Sequence, residues 1–467
     1  MFPKFFIVTA CLWASVLLVN AQNLVADFPA ETNLSSSNWA GTQLAVPFQF
    51  YWKTKDGQFI AIDQYSTASK KVAEFQLYYS FVTKPTRASD YVVMPIYFST
   101  KFPVQLKQIE SGNYQMHFIG LNKRVYQTTL TIYHSANWMQ TMLKPLSSRK
   151  TLRDIVMPGS HDAGMSVLTA TGGQQKGTIN ACNTLTQQLS IERQLLQGIR
   201  MFDLRVGTYQ QSLYTKHAAA DCMVDAIGGG YGESLKTVSL AIKQFLKTNA
   251  QEIVLVSFSH FCESETPIQQ LQDSLLFWIG QENIYRNTAS NIGEVPLSQL
   301  AGKVILSFEI PNWTAALFPN CSIADASSAF LNFRRAYAST NKLSKLIQTE
   351  AAFFINLQST VQKNDLIRLD WQITQSADEA SAVCNDFQDE HLNPLVNGAI
   401  FLVNKIRKNK SIIDHAKIAN QQLPVQLRNW VMDKTINQQN KPHIIYVDDA
   451  GAWATDFTLS LLRTNLY

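Results

Sequence analysis

The chain has 467 residues, which is long enough for two or three domains with separate hydrophobic cores. Hydrophobic residues make up 46% of the sequence and charged residues 16%, a composition that excludes an intrinsically disordered protein. The net charge of +5 comes without a dense block of Lys and Arg, so the charge pattern gives no support to nucleic-acid binding.

The first 21 residues have the pattern of a secretory signal peptide. Lys4 precedes an apolar stretch, and small residues suit cleavage after Ala21. A transmembrane anchor is the alternative, but the apolar run is shorter than the roughly 20 residues that a span needs. We therefore predict a secreted, extracellular protein. Four Asn-X-Ser/Thr sequons fit a secreted glycoprotein: Asn33, Asn312, Asn320 and Asn409.

Residues 22–145 have the texture of a β domain. Short runs rich in aromatic and β-branched residues alternate with turn signals. These runs lie at 58–62, 74–81, 91–94, 114–118 and 125–132. Regular short strands predict an all-β, sandwich-like domain with its boundary near Pro145. Its function is open between surface adhesion, membrane docking and covering one side of the second domain.

From residue 146 to residue 467 strand-like runs alternate with helical patterns. The strands are predicted at 153–157, 199–206, 212–216, 252–259, 303–310, 366–373 and 443–448. Helices are predicted at 234–248 and 423–436, and an eighth strand is placed loosely at 353–355. This alternation is typical of α/β proteins and predicts an irregular TIM-type (β/α) barrel. The glycine-rich segment 228–232 lacks the Lys-Ser/Thr of a phosphate loop and is predicted to be a mouth loop.

The cysteines are interpreted in the light of secretion. Cys11 would leave with the signal peptide, so five remain: Cys182, Cys222, Cys262, Cys321 and Cys384. An oxidising compartment favours disulfides, and an odd number leaves one cysteine free or intermolecular. Cys182 and Cys222 both fall in loops expected near the barrel mouth and are the first candidates for a pair. Zinc is the weaker alternative, since no CxxC occurs.

Polar, titratable residues end several of the predicted strands, as catalytic barrel strands do. Four fragments share this pattern: PGSHDAG at 158–164, GIRMFDLR at 198–205, YTKH at 214–217 and IVLVSFSH at 253–260. Two histidines and an arginine are sufficient to cleave a phosphodiester without a metal. One histidine accepts a proton from the attacking oxygen, the other donates one to the leaving oxygen, and the arginine stabilises the developing charge.

Together, and in this order, the four fragments resemble the catalytic X region of phosphatidylinositol-specific phospholipases C. The resemblance covers about residues 145–467 and does not extend to the β domain. It implies a phosphoric diester hydrolase whose partner is a phosphoinositide lipid at a membrane surface. The inositol 2-hydroxyl would attack phosphorus and release diacylglycerol and a cyclic inositol phosphate.

The resemblance also implies roles for individual residues. His161 would be the general base and His217 the general acid, although the neighbours of His217 depart from the His-Gly usual in the family. Asp162 would support His217, because its side chain should point away from that of His161 if both continue an extended strand. The last strand would supply the carboxylate that orients His161, and Asp448 is preferred over Asp449.

The strand with GIRMFDLR predicts an active site without calcium. Asp203 and Arg205 alternate with apolar residues and should face the barrel lumen, where they could also form a merely structural ion pair. Calcium-dependent relatives carry two acids on this strand, and here the second is Arg205, whose planar fork suits phosphate oxygens. Ser259 stands where those relatives have another acid, and Asp162 replaces an asparagine. No metal or other cofactor is expected.

Two further strand ends are assigned lesser roles, and two rival functions stay open. His260 is predicted to be a packing or rim residue, and Asp370 to lie in the wall of the inositol pocket. One rival is a metal-dependent glycerophosphodiester or sphingolipid phosphodiesterase on a related barrel. The other is a catalytically weak secreted binding protein that uses its β domain for adhesion.

Overall fold

The computed structural model describes the backbone of the strands between residues 22 and 134 and most of residues 135–467. Its gaps in the second range are 144–145, 174–178, 224–227, 286–288, 310–322, 326–329, 359, 377–378, 380–409 and 463–465. The predicted signal peptide, the four sequons, Cys321 and Cys384 lie outside the described residues. None of the described helices has the length and apolar character needed to span a bilayer.

The N-terminal strands form one antiparallel sheet. They are β1 (Gln22–Asp27), β2 (Gln49–Lys53), β3 (Phe59–Thr67), β4 (Gln76–Ser80), β5 (Val92–Val93), β6 (Gly112–Gly120) and β7 (Val125–His134). Their order in the sheet is β1-β7-β6-β3-β2-β4-β5. All five predicted runs overlap strands, whereas β1 and β2 were not predicted. Sandwich-like packing of two sheets stays a prediction.

The second part of the chain is an α/β structure. Its strands are β8 (Met157–Ser160), β9 (Ala170–Gly172), β10 (Met201–Tyr209), β11 (Ser212–Ala218), β12 (Gly229–Ser234), β13 (Val254–Ser259), β14 (Val304–Phe308), β15 (Ile323–Asp325), β16 (Asn332–Arg334), β17 (Asp365–Trp371) and β18 (Ile444–Val447). Its described helices are α1 (Trp138–Met142), α2 (Ala181–Thr184), α3 (Ile191–Leu196), α4 (Leu235–Thr248), α5 (Ile268–Ile279), α6 (Leu297–Leu300), α7 (Leu343–Leu357), α8 (Ile412–Met432) and α9 (Ala452–Leu462).

Eight strands follow one another in the order β15-β14-β13-β10-β8-β18-β17-β16, and every neighbouring pair is parallel. The two end strands, β15 and β16, do not pair with each other in the part of the chain that the structure describes. The sheet is therefore open, and closure into a TIM barrel is not shown. Beyond the parallel sheet, β10 continues into a small antiparallel sheet with β11, β12 and β9.

Several sequence predictions need correction. The strand predicted at 153–157 begins only at Met157, because Thr151 and Asp154 form a capping box that starts a short 3-10 turn. The strand predicted at 353–355 belongs to α7, and the helix predicted from residue 423 begins at Ile412. The glycine-rich mouth loop is strand β12. A Cβ on Gly230 would lie 2.4 Å from Leu168, so glycine permits close packing there.

The inward face of the parallel sheet changes from apolar to polar along the strands. At the amino ends the inward residues form an apolar cluster that includes Met157, Met201, Leu255, Ile305 and Ile444. Alternation places Asp203, Ser257 and Ser307 on the same face two residues later, and these three are paired in register across β10, β13 and β14. The carboxyl edge of the sheet therefore collects the polar side chains.

The segment just before the predicted boundary packs into the α/β core. Trp138 is fully buried and donates from Nε1 to the carbonyl of Gly198 at 2.8 Å. The buried guanidinium of Arg200 donates from Nη2 to the carbonyls of Ser135 and Ala136, at 3.2 and 2.8 Å. Residues from Ser135 onward thus contribute to this core, although they precede position 146.

The predicted pairing of Cys182 with Cys222 is wrong. Cys222 forms a disulfide with Cys262, with a Cα–Cα distance of 5.0 Å, and Cys182 is also disulfide-bonded. The physical reason is the strand order: β11 and β13 both pair with β10, so the segments that follow them lie side by side. The spacing of the cysteines along the chain did not indicate that Cys222 and Cys262 would be close together.

Candidate active site

His161 follows β8 at the carboxyl edge of the sheet. Its backbone N–H donates to the carbonyl of Val447 at 3.0 Å, which holds the residue beside the end of β18. Its Nδ1 lies 2.7 Å from Asp448 Oδ1. Because an ionised carboxylate only accepts hydrogen bonds, Nδ1 carries a proton and Nε2 faces the site. The ring of Tyr446 meets the imidazole edge-on, with centroids 5.3 Å apart.

Asp162 lies at the centre of the site, where three basic side chains meet it. Oδ1 forms an ion pair with Arg205 Nε at 2.9 Å. Oδ2 lies 3.4 Å from His161 Nε2 and 3.8 Å from His217 Nε2. The expectation that Asp162 points away from His161 is wrong, because β8 ends at Ser160 and Asp162 turns with a left-handed φ of 40°. One carboxylate therefore faces both histidines.

His217 is on β11, and a backbone carbonyl orients its ring. Nδ1 lies 2.9 Å from the carbonyl oxygen of Thr184, which can only accept, so Nδ1–H donates and Nε2 is left facing Asp162. The side chain is 22% exposed. Burial lowers the pKa of His217 below its ordinary value, and the nearby Asp162 carboxylate only partly compensates. The role of Thr184 could not be predicted from the sequence, because a backbone carbonyl leaves no signal in the residue type.

The two histidines have opposite electrostatic environments. Burial alone would lower the pKa of His161, but the carboxylates of Asp162 and Asp448 outweigh it and raise the pKa to about 9. Burial would raise the pKa of Asp162, yet Arg205 and the two histidines lower it to about 2. Burial raises the pKa of Asp448 despite its contact with His161. His161 therefore holds a proton more firmly than His217 does.

Asp203 is held by hydroxyl groups. Ser259 Oγ donates to Oδ1 at 3.3 Å, and the Tyr446 hydroxyl donates to Oδ2 at 2.6 Å. The described ion-pair partner of Arg205 is Asp162, so the alternative of an Asp203–Arg205 structural pair is not supported. Tyr446 was not singled out from the sequence, although it alternates with Asp448 on the last strand and must share its face.

Three side chains of the site are of types that can ligate a metal ion. Ligand atoms of His161, Asp162 and Asp203 lie within 4.8 Å of one another. Each is already engaged: Arg205 pairs with Asp162, two hydroxyls donate to Asp203, and Asp448 faces Nδ1 of His161. The guanidinium of Arg205 thus provides the positive charge beside Asp162.

The remaining candidates lie around this cluster. The backbone N–H of Asp449 donates to the Thr186 carbonyl, and burial raises the pKa of its side chain to about 6. The carboxylate beside His161 Nδ1 is that of Asp448, as preferred from the sequence. His260 lies exposed at the rim, 2.8 Å from Asp221. Asp370 accepts from Arg368 at 2.5 and 2.8 Å.

Arg368 was not anticipated from the sequence. Its guanidinium lies 3.7 Å from the ring centroid of Tyr446. Because Arg368 also pairs with Asp370 and Tyr446 also donates to Asp203, these contacts link Asp370 to Asp203. The signal that could have found it is the alternation of β17, where Arg368 and Asp370 are two residues apart and so share one face.

Sequence comparisons give two curated relatives. A PI-PLC X-box domain-containing protein of Dictyostelium discoideum is 24% identical over 177 residues, which cover 36% of this chain and 22% of that protein. PI-PLC X domain-containing protein 2 of Homo sapiens is 30% identical over 142 residues, 27% of this chain and 44% of that protein. The chain thus spans less than half the length of either relative. No protein-family profile matches it.

Solved structures of bacterial phospholipases are similar in outline. A phosphatidylinositol-specific phospholipase C of Staphylococcus aureus with an incorporated pentafluoro-Phe has a TM-score of 0.45 at 16% identity, covering 70% of this chain and 97% of that one. The enzyme of Listeria monocytogenes has a TM-score of 0.42 at 17% identity with the same coverage. The ordered motifs and the two X-domain relatives agree with each other, and over the matched residues this chain is similar to PI-PLC X-domain proteins.

Proposed function

We propose that this protein is a secreted phospholipase C-type phosphoric diester hydrolase that acts on phosphatidylinositol or its glycosylated forms. The observation that carries this proposal is the surrounding of Asp162 by His161, Arg205 and His217, all within 3.8 Å. A base, an acid and a fixed cation are the groups that phosphodiester cleavage needs around one phosphate. The X-domain relatives support the same class of reaction.

The proposed chemistry uses the Nε2 atoms of the two histidines and the guanidinium of Arg205. Nε2 of neutral His161 accepts the proton of the inositol 2-hydroxyl as that oxygen attacks phosphorus. The bond from phosphorus to the diacylglycerol oxygen breaks, and protonated His217 donates a proton from Nε2 to that oxygen. Arg205 stabilises the charge on the non-bridging oxygens. The products are diacylglycerol and a cyclic inositol phosphate, and proximity favours this intramolecular attack.

Asp448 and Asp162 position the two histidines in this scheme. Asp448 accepts from Nδ1–H of His161, so the lone pair needed for the base lies on Nε2. Asp162 faces Nε2 of His217, and its charge offsets part of the lowering of the His217 pKa by burial, which makes the protonated form that the acid requires easier to reach. Asp203 has a supporting role: its carboxylate accepts hydrogen bonds from Ser259 and Tyr446, and its negative charge raises the pKa of Arg205.

The proposal extends to the whole chain. Arg205 takes the place of calcium, so no cofactor is needed. The open sheet closes as an irregular TIM-type barrel, and the preceding β domain docks the enzyme at a membrane surface. Secretion follows from the signal-like residues 1–21, and the Cys222–Cys262 disulfide supports an oxidising compartment.

One experiment tests the function directly. Purified protein is mixed with phosphatidylinositol micelles in excess chelator, and the release of cyclic inositol phosphate is followed by phosphorus NMR. We expect release by the wild type and none above background by His161→Ala. A wild type that releases no inositol phosphate, with or without added calcium or magnesium, would contradict the proposal.

A metal-dependent phosphodiesterase for glycerophosphodiesters or sphingolipids is the second candidate. The clustering of His161, Asp162 and Asp203 favours it, since these residue types are common metal ligands. It predicts activity that chelator abolishes and that magnesium or calcium restores. A catalytically weak binding protein would instead bind inositol lipid in the same assay and release nothing.

A further inference from the structure

Glu309 lies at the carboxyl edge of the sheet, across from the catalytic cluster. It directly follows β14, whose inward residues are Ile305 and Ser307, so alternation places Glu309 on the inward face. Its backbone N–H donates to the carbonyl of Phe258 at 2.8 Å, which places it next to Ser259 of β13. Glu309 is therefore level with the residues that end the catalytic strands.

An arginine from another strand holds the Glu309 carboxylate. Arg335, which follows β16, donates from Nη2 to Glu309 Oε2 at 2.7 Å. This ion pair reaches across the open end of the sheet, from β14 to β16. Burial raises the pKa of Glu309, and the charge of Arg335 lowers it. The charge of Asp203 also raises this pKa, and the charge of Arg368 also lowers it. The Glu309 side chain is 18% exposed, so the carboxylate is largely shielded from solvent beside Arg335.

The charges around the site leave little attraction for a second anion. Three guanidinium groups at this edge each have a carboxylate partner: Arg205 with Asp162, Arg368 with Asp370, and Arg335 with Glu309. Arg205 is required for the reacting phosphodiester. A further phosphate on the head group that approached Arg335 or Arg368 would meet the carboxylate of Glu309 or Asp370 beside it.

We propose that Glu309, held by Arg335, is a specificity determinant that accepts head groups bearing only hydroxyls and rejects head groups that carry a phosphomonoester. The inference rests on the proposed function and specifies its substrate class. A carboxylate accepts hydrogen bonds from sugar-type hydroxyls, whereas a phosphomonoester brings about −1.5 to −2 charges and is repelled. Specificity of this kind comes from the repulsive element as much as from the attractive one.

The test compares head groups in the full-length protein. Values of kcat/KM are measured with short-chain phosphatidylinositol and with short-chain phosphatidylinositol 4-phosphate. The wild type should prefer the unphosphorylated lipid. Glu309→Gln keeps the hydrogen bond to Arg335 but removes the charge, so the phosphorylated lipid should gain at least about tenfold relative to the other. Glu294→Gln, at an exposed ion pair with Lys363, is the matched control and should leave the ratio unchanged.

A second measurement needs no variant at the site. Inhibition of the wild type by inositol 1-phosphate should be stronger than inhibition by inositol 1,4-bisphosphate. An active Glu309→Gln enzyme with an unchanged ratio would overturn the inference, as would a wild type that prefers the phosphorylated lipid or product. A wild type that cleaves neither lipid would instead refute the proposed function, and this inference with it.

Discussion

The position of His161 between two carboxylates predicts how its catalytic rate depends on pH. Asp448 Oδ1 lies 2.7 Å from Nδ1 and Asp162 Oδ2 lies 3.4 Å from Nε2, and together they raise the pKa to about 9. The reaction needs His161 neutral and His217 protonated, and the pKa of His161 lies above that of His217, so kcat/KM should level off once the pH passes the pKa of His217 and fall once it passes that of His161. At pH 7 only roughly 1% of a base with this pKa would be neutral.

Asp448→Asn should move that descending limb toward lower pH. An opposite charge within contact distance raises the pKa of a histidine by about 1–3 units, and removing Asp448 leaves Asp162 in place. A shift of about 1–2 units is therefore expected, with each unit corresponding to about 1.4 kcal/mol. The maximal rate should fall at the same time, because the variant no longer stabilises the imidazolium that forms during the reaction. The deficit of the variant should thus be largest at alkaline pH and shrink about tenfold per pH unit below it.

The assay is the pH profile of kcat/KM from pH 5 to 10 on short-chain phosphatidylinositol. Asp449→Asn is the matched control, since Asp449 is the adjacent acid and the carboxylate that contacts His161 Nδ1 is that of Asp448. Its limb should coincide with that of the wild type. An Asp448→Asn limb that stays in place, or moves to higher pH, would refute the assignment of His161 and Asp448 as base and orienting carboxylate.

Four further outcomes are expected. Excess chelator should change activity by less than about twofold, and Arg205→Lys should lose at least about 10²-fold because a point charge cannot replace the planar fork; loss in chelator that calcium restores would contradict this. His217→Ala should lose about 10²–10⁴-fold and the descending limb of the pH profile, and near-normal turnover would exclude it as the acid. Glu252→Ala leaves the buried charge of Arg200 unpaired and should lower the free energy of unfolding in urea by about 3–5 kcal/mol; a loss below 1 kcal/mol would refute that estimate. A chain that begins just before Ser135 should still cleave short-chain lipid but lose more activity on vesicles, whereas equal losses would argue against docking by the β domain.

The sequence by itself determined the features that depend on local pattern. Alternation along β10 indicated that Asp203 and Arg205 share the inward face, and the helix over Leu235–Thr248 was predicted from its apolar stripe and is confirmed. The four motifs predicted a PI-PLC X-domain-like protein, which the comparisons support. Each of these conclusions needs only the residue types and their spacing within one element.

Only the tertiary structure decided which groups meet. Asp448 contacts His161 across 287 residues, a partner that the family resemblance and no local pattern favoured over Asp449. Tyr446 contacts Asp203 across 243 residues, and nothing in the sequence pointed to this contact. The left-handed turn at Asp162 overrode the strand alternation that placed it away from His161. Strand order, too, brought together two distant cysteines for a disulfide. The reason is common to all of these: periodicity fixes which face a side chain takes, whereas the order of strands in the sheet fixes its neighbours.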